Sequence, residues 1–146
     1  MGLWSRILGR SEEGTQRIKL KGPGDFATHL VGESDHEENL SRICGRPRAE
    51  GLEKIVTALV VHDDGPLEQA AVSVQVSGLV VGGLNSLYAR NFRERMISNG
   101  HAGWIAVCKA KIRAEWDGGE KNQGNFSVTL DLPPEYTESV KMARPG

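Results

Sequence analysis

Three basic residues, Lys109, Lys111 and Arg113, recur at every second position within Ala106–Ala114, with Ala106, Cys108, Ala110, Ile112 and Ala114 between them. On a strand that period places every charge on one face and every small apolar side chain on the other. Arg90, Arg93 and Arg95 lie in a nearby stretch whose Tyr88, Phe92 and Met96 repeat at helical spacing, so the arginines are expected on its solvent side. If that strand and helix are neighbours, the six cations form a positive strip. Its natural ligand would be the phosphates of a nucleic acid, held by charge-assisted hydrogen bonds and counterion release. Pairing of the strip with acids of the same domain is the competing expectation. Few aromatic residues could stack on bases, since Tyr88 and Phe92 read as core, leaving Trp104, Trp116 and Tyr136.

Other chemistry finds less support. His36 lies in Asp35-His36-Glu37-Glu38 and His62 precedes Asp63-Asp64, but neither has a ligand pair at i, i+4 or a cysteine at metal-site spacing. No metal or other cofactor is expected, and a small metal-dependent hydrolase is a distant third reading. Cys44, on the core face of a helix, and Cys108, alternating inward with alanines, read as inert packing. No serine sits in a nucleophile elbow, and Gly78, Gly82 and Gly83 lack the lysine of a phosphate-cradling loop. The chain is read as non-catalytic.

The elements that must position these residues follow from periodicity and punctuation. Residues 11–24 are polar and glycine-rich and read as a linker. Phe26–Val31 reads as a short strand. Ser34 with Glu37 is a capping-box pair opening a helix over 34–44, closed by Gly45 and Pro47. Ile55–Val61 is an apolar run expected to be buried on both faces. Val72, Val74 and Val76 alternate with polar residues, and Ser77-Gly78 joins them to Leu79–Val81 as a hairpin. Asn85 or Ser86 starts a second helix that Asn99-Gly100 ends. Two longer strands, 106–114 and 126–132, flank a glycine-rich loop. The order predicts a mostly β, α+β domain: a small six-stranded antiparallel OB-like barrel with helices at its ends. The small inward side chains of residues 106–114 suit its tight interior, and an open α+β sheet is the alternative.

A chain of 146 residues is one domain's worth, and 18 Lys and Arg against 19 Asp and Glu leave a net charge of -1. That excludes bulk electrostatic coating of nucleic acid. The balance hides segregation, because residues 31–70 sum to -5 and residues 71–113 to +5. Two unpaired cysteines suggest a reducing, cytoplasmic location. The short apolar run at the start, interrupted by Arg6, fits neither a signal peptide nor a membrane span, and Arg6 breaks the myristoylation pattern. Leu3, Trp4, Ile7 and Leu8 share one helical face, which reads either as a docking helix or as a frayed terminus.

Several segments together resemble the HIRAN-like domains of bacteria. They are His29-Leu30-Val31-Gly32-Glu33-Ser34 before a capped helix, Asp64–Val74, Gly78–Leu84 leading into a helix, and Gly124–Pro133 as the last strand. The resemblance covers residues 25–133, leaving 1–24 as a helix and linker and 134–146 as a tail. It implies an OB-like barrel that binds DNA, single-stranded ends in particular, in replication or repair. The family's central Asn-Pro-Tyr-Asp-x-Asn-Ala-Val stands here as Gly65–Val72, with Leu67 in place of the base-stacking tyrosine and Glu68 in place of the aspartate. Its Arg-Tyr-Tyr segment is represented by Ser34, Asp35 and His36, so a basic, aromatic pocket has become acidic. The leading expectation is a DNA-binding recognition module that contacts phosphate through Lys109, Lys111, Arg113, Arg90 and Arg93. The alternative is a protein-interaction adaptor whose partner docks on residues 35–38 or on the N-terminal helix.

Overall fold

The computed structural model describes residues 16–45, 51–62, 71–116 and 124–138. Seven strands and two helices alternate along them: β1 (Arg17–Lys19), β2 (Thr28–His29), a 3-10 turn (Glu33–His36), α1 (Glu37–Cys44), β3 (Leu52–His62), β4 (Val72–Val76), β5 (Leu79–Gly83), α2 (Ser86–Ser98), β6 (Ile105–Trp116), β7 (Gly124–Asp131) and a second 3-10 turn (Pro134–Tyr136). Six strands lie in the order β2-β7-β6-β3-β4-β5, every pairing antiparallel. The sheet curls until its ends meet, where Val31 and Gly83 exchange backbone hydrogen bonds of 2.8 and 3.0 Å. The result is the small α+β barrel expected from the element order.

Close approach at that seam requires glycine. A Cβ on Gly83 would stand 2.7 Å from the Val72 carbonyl oxygen, and one on Gly82 would stand 3.0 Å from that of Val31. The β4–β5 hairpin turns on Ser77 and Gly78, both at positive φ (53° and 79°), the backbone that matches strand twist in a two-residue connection. Small β6 side chains, Ala106, Cys108, Ala110 and Ala114, line the interior and leave room for Phe92 and Met96 of α2 in the same core. The Asn85 side chain caps α2 by accepting from the Tyr88 N–H at 2.8 Å.

Four expectations are corrected. Ser34 does not cap a helix: residues 33–36 form a 3-10 turn entered through Gly32 (φ 82°), and α1 starts only at Glu37, with no side-chain cap on either. Phe26, at φ 48°, turns the chain before β2, so the strand is Thr28–His29 alone. Only Ala58 and Val60 of β3 are buried; the rest of the strand is half-buried or exposed, with Ile55 51% exposed. Residues at both ends of the expected domain are packed rather than linker or tail. Arg17–Lys19 pair in parallel with Ile105–Val107 of β6. Tyr136 is buried against the Phe92 ring, and Asn91 and Arg95 donate to the Thr137 and Glu135 carbonyls, which ties this segment to α2.

Candidate functional site

Strand alternation sends Lys109, Lys111 and Arg113 to the outer face of the barrel, as their spacing predicts. They stand in rows across three strands: Glu53–Arg113–Ser127, Ile55–Lys111–Thr129 and Thr57–Lys109–Asp131. Each cation has a different neighbour. Arg113 pairs with Glu53 at 3.5 Å, with both side chains more than half exposed. The Lys111 ammonium lies 4.8 Å from the centre of the Phe26 ring, a cation–π contact. Lys109 is exposed and, among the described residues, takes no ion pair.

Beyond Lys109 the outer face becomes concave. Along one edge of β6, Lys109 pairs with Asp131, the last residue of β7, and Val107 pairs with Lys19, the last residue of β1. Two strands arriving from opposite directions thus stop on either side of Cys108. The breach opens into a cavity of about 540 Å³, lined by Lys19, Lys21, Thr57, Val107, Lys109 and Asp131, with Leu20 and Cys108 at its floor. Three lysines and a single carboxylate residue therefore line it. That carboxylate is already engaged, because Asp131 Oδ1 accepts from the Gly24 N–H at 2.8 Å and the Phe26 N–H at 3.4 Å.

The loop carrying Lys21 and Phe26 is fastened to this spot. A Cβ on Gly22 would fall 2.6–2.8 Å from the Asp131 carboxylate, carbonyl carbon and carbonyl oxygen, so only glycine lets the loop lie so close. Burial, and then the charge of Asp131, push the Cys108 thiol up to about 12, leaving it a neutral packing group. Half-burial likewise raises the Cys44 thiol, against an opposing pull from Lys54.

The arginines of α2 do not join this face. Ala89, Phe92 and Met96 seat the helix in the barrel core, on the opposite side of the β6 strand from its lysines. Arg90 is exposed and pairs with Glu94 at 3.5 Å. Arg93, expected on the solvent side, is buried at 7% exposure, so it does not stand on the helix's open face. Ser34 and Asp35 are exposed and His36 half-buried in the first 3-10 turn, whose Glu33 accepts from the Val128 N–H at 3.1 Å. Leu67, Glu68 and the apolar face of residues 3–8 lie outside the described residues.

Lys19, Lys21, Thr57, Phe26 and Asp131 were not singled out from sequence, yet one signal was there. Arg17-Ile18-Lys19-Leu20-Lys21 alternates charged and apolar residues just as Lys109-Ala110-Lys111-Ile112-Arg113 does. Among the described residues no three of His, Cys, Asp and Glu come together in a metal-binding group, and no helix is long and apolar enough to cross a membrane. Compared with known protein families, with curated proteins and with solved structures, the chain matches none.

Proposed function

We propose that this chain is a non-catalytic DNA-binding module that holds single-stranded DNA against the outer face of its barrel. One observation carries the reading. Lys19, Lys21, Lys109 and Lys111 share that face, no carboxylate among the described residues forms an ion pair with any of them, and the Phe26 ring lies against Lys111. Cations that track a sugar–phosphate backbone next to an aromatic ring are the two elements of sequence-tolerant single-strand binding. The resemblance to HIRAN-like domains points to the same ligand, but the contact proposed here is on β6 and β1. It does not use the family's end pocket, whose positions 67 and 68 have lost the tyrosine and the aspartate. Arg113 contributes less than the lysines because Glu53 shares its charge.

The test is a titration of a fluorescein-labelled single-stranded oligonucleotide at low salt, followed by anisotropy. Saturable binding that weakens in Lys111→Ala and in Phe26→Ala, with Arg90→Ala unchanged, is expected. Absence of binding at low salt refutes the reading. A stronger loss in Arg90→Ala than in Lys111→Ala would move the contact to α2.

A further inference from the structure

The lysines of the outer face are not spread evenly. Lys111 stands on an open part of the sheet beside a ring, whereas Lys19, Lys21 and Lys109 surround one cavity at the breach between β1 and β7. An internal phosphodiester carries one negative charge and passes along an open face. A terminal phosphomonoester carries a charge of about -1.5 to -2 at neutral pH and three strong acceptor oxygens. Three lysines lining one concavity match the second and exceed what the first requires. The volume of about 540 Å³ lies within the range that admits a nucleotide-sized ligand.

Asp131 offsets part of this field, leaving three lysines against one carboxylate, and its Oδ1, which accepts from the Gly24 and Phe26 amides, helps fix the loop that carries Lys21. The Thr57 hydroxyl, opposite Lys109 in register, adds a neutral donor on the far wall.

We infer that the cavity at the β1–β7 breach is a subsite for a phosphomonoester, either the phosphorylated end of a nucleic-acid strand or a free mononucleotide. The strand-end source rests on the DNA-binding reading; the cavity's chemistry does not. The open face then holds the backbone that leads away from the captured end.

The experiment uses one oligonucleotide sequence in three forms, with a 5′-phosphate, with a 3′-phosphate and with hydroxyls at both ends, and a nucleoside monophosphate as a separate probe. Binding to the full chain is compared with Lys21→Ala, which removes a lysine of the cavity, and Lys111→Ala, which removes one outside it; unchanged melting temperatures certify both folds, and the phosphorylated-to-hydroxyl ratio is read within each chain. A phosphorylated form should bind about tenfold tighter than the hydroxyl form, the scale of one good charge-assisted contact. Lys21→Ala should erase that difference, while Lys111→Ala should weaken all forms alike. Equal affinity for phosphorylated and hydroxyl ends overturns the subsite and leaves the DNA-binding face standing. Binding of the monophosphate alone, lost in Lys21→Ala, supports the cavity and overturns the face. No binding of any probe overturns both.

Discussion

Salt dependence gives the most quantitative test of the proposed DNA contact. Four lysines on the outer face, Lys19, Lys21, Lys109 and Lys111, have no ion pair with a described carboxylate, whereas Arg113 is shared with Glu53. If each neutralises one phosphate of a single strand, the slope of log K against log salt is about -0.7 per contact, or about -2.8 in all. A fourfold rise in salt should then weaken binding about fiftyfold. Lys109→Ala combined with Lys111→Ala should halve the slope to about -1.4, so the same rise weakens binding only about sevenfold. Glu53→Gln works in the other direction: it releases Arg113 and should steepen the slope to about -3.5. Anisotropy titrations across a salt series measure all three chains. A double variant with the slope of the unmodified protein would show that β6 does not face the backbone. An unmodified slope near zero would show that phosphate is not the ligand.

Other expectations follow from single contacts. Gly22→Ala drives a methyl group into the Asp131 backbone, which cannot move without breaking the β6–β7 ladder, so it should cost about 1–3 kcal/mol by thermal melting. It should also weaken nucleic-acid binding more than its stability loss explains, because Lys21 is displaced. Gly83→Ala meets the Val72 carbonyl at the closing seam and should be destabilising by a similar amount, with binding by the folded fraction unchanged. Tyr136→Phe removes the hydrogen bond from the Asn99 side chain and should cost about 1 kcal/mol, read as a lower melting temperature. The unfolded Cys108 thiol ionises near 9.0 whereas the folded one keeps its proton to about 12, so this group's stabilising contribution is complete below pH 9 and is lost as pH rises toward 12. Cys108→Ala should therefore have a shallower alkaline loss of stability, by up to about 1.4 kcal/mol per pH unit between those limits, with melting temperature against pH as the measurement.

The barrel was legible in the sequence because its strands alternate and its turns are marked. The β4–β5 hairpin, the limits of α2 and the inward face of β6 all follow from local periods, and local physics decides them. What the sequence hid depended on contacts distant in the chain. Arg17–Lys19 is too short to nucleate a strand alone and becomes one only by pairing with Ile105–Val107. Arg93 has the spacing of an exposed residue but is buried, and Asn91 and Arg95 are held by a segment some forty positions later that reads from sequence as a tail. The expected positive strip joined α2 to β6 on charge alone. Core packing sets those elements on opposite sides of one strand, and the true partner of the β6 lysines is the first strand.

The breach beside Cys108 ties the proposed phosphate subsite to the docking of β1. The barrel closes at Val31 and Gly83 without β1, which is attached to the β6 edge through Gln16, Leu20 and the short ladder between them. Two of the three cavity lysines travel with that strand. If the cavity is the proposed phosphate subsite, docking of β1 and capture of the anion are one linked equilibrium. A bound phosphate should slow hydrogen exchange at the Leu20 and Ile105 amides, and whatever detaches the first strand should empty the site while leaving the barrel folded.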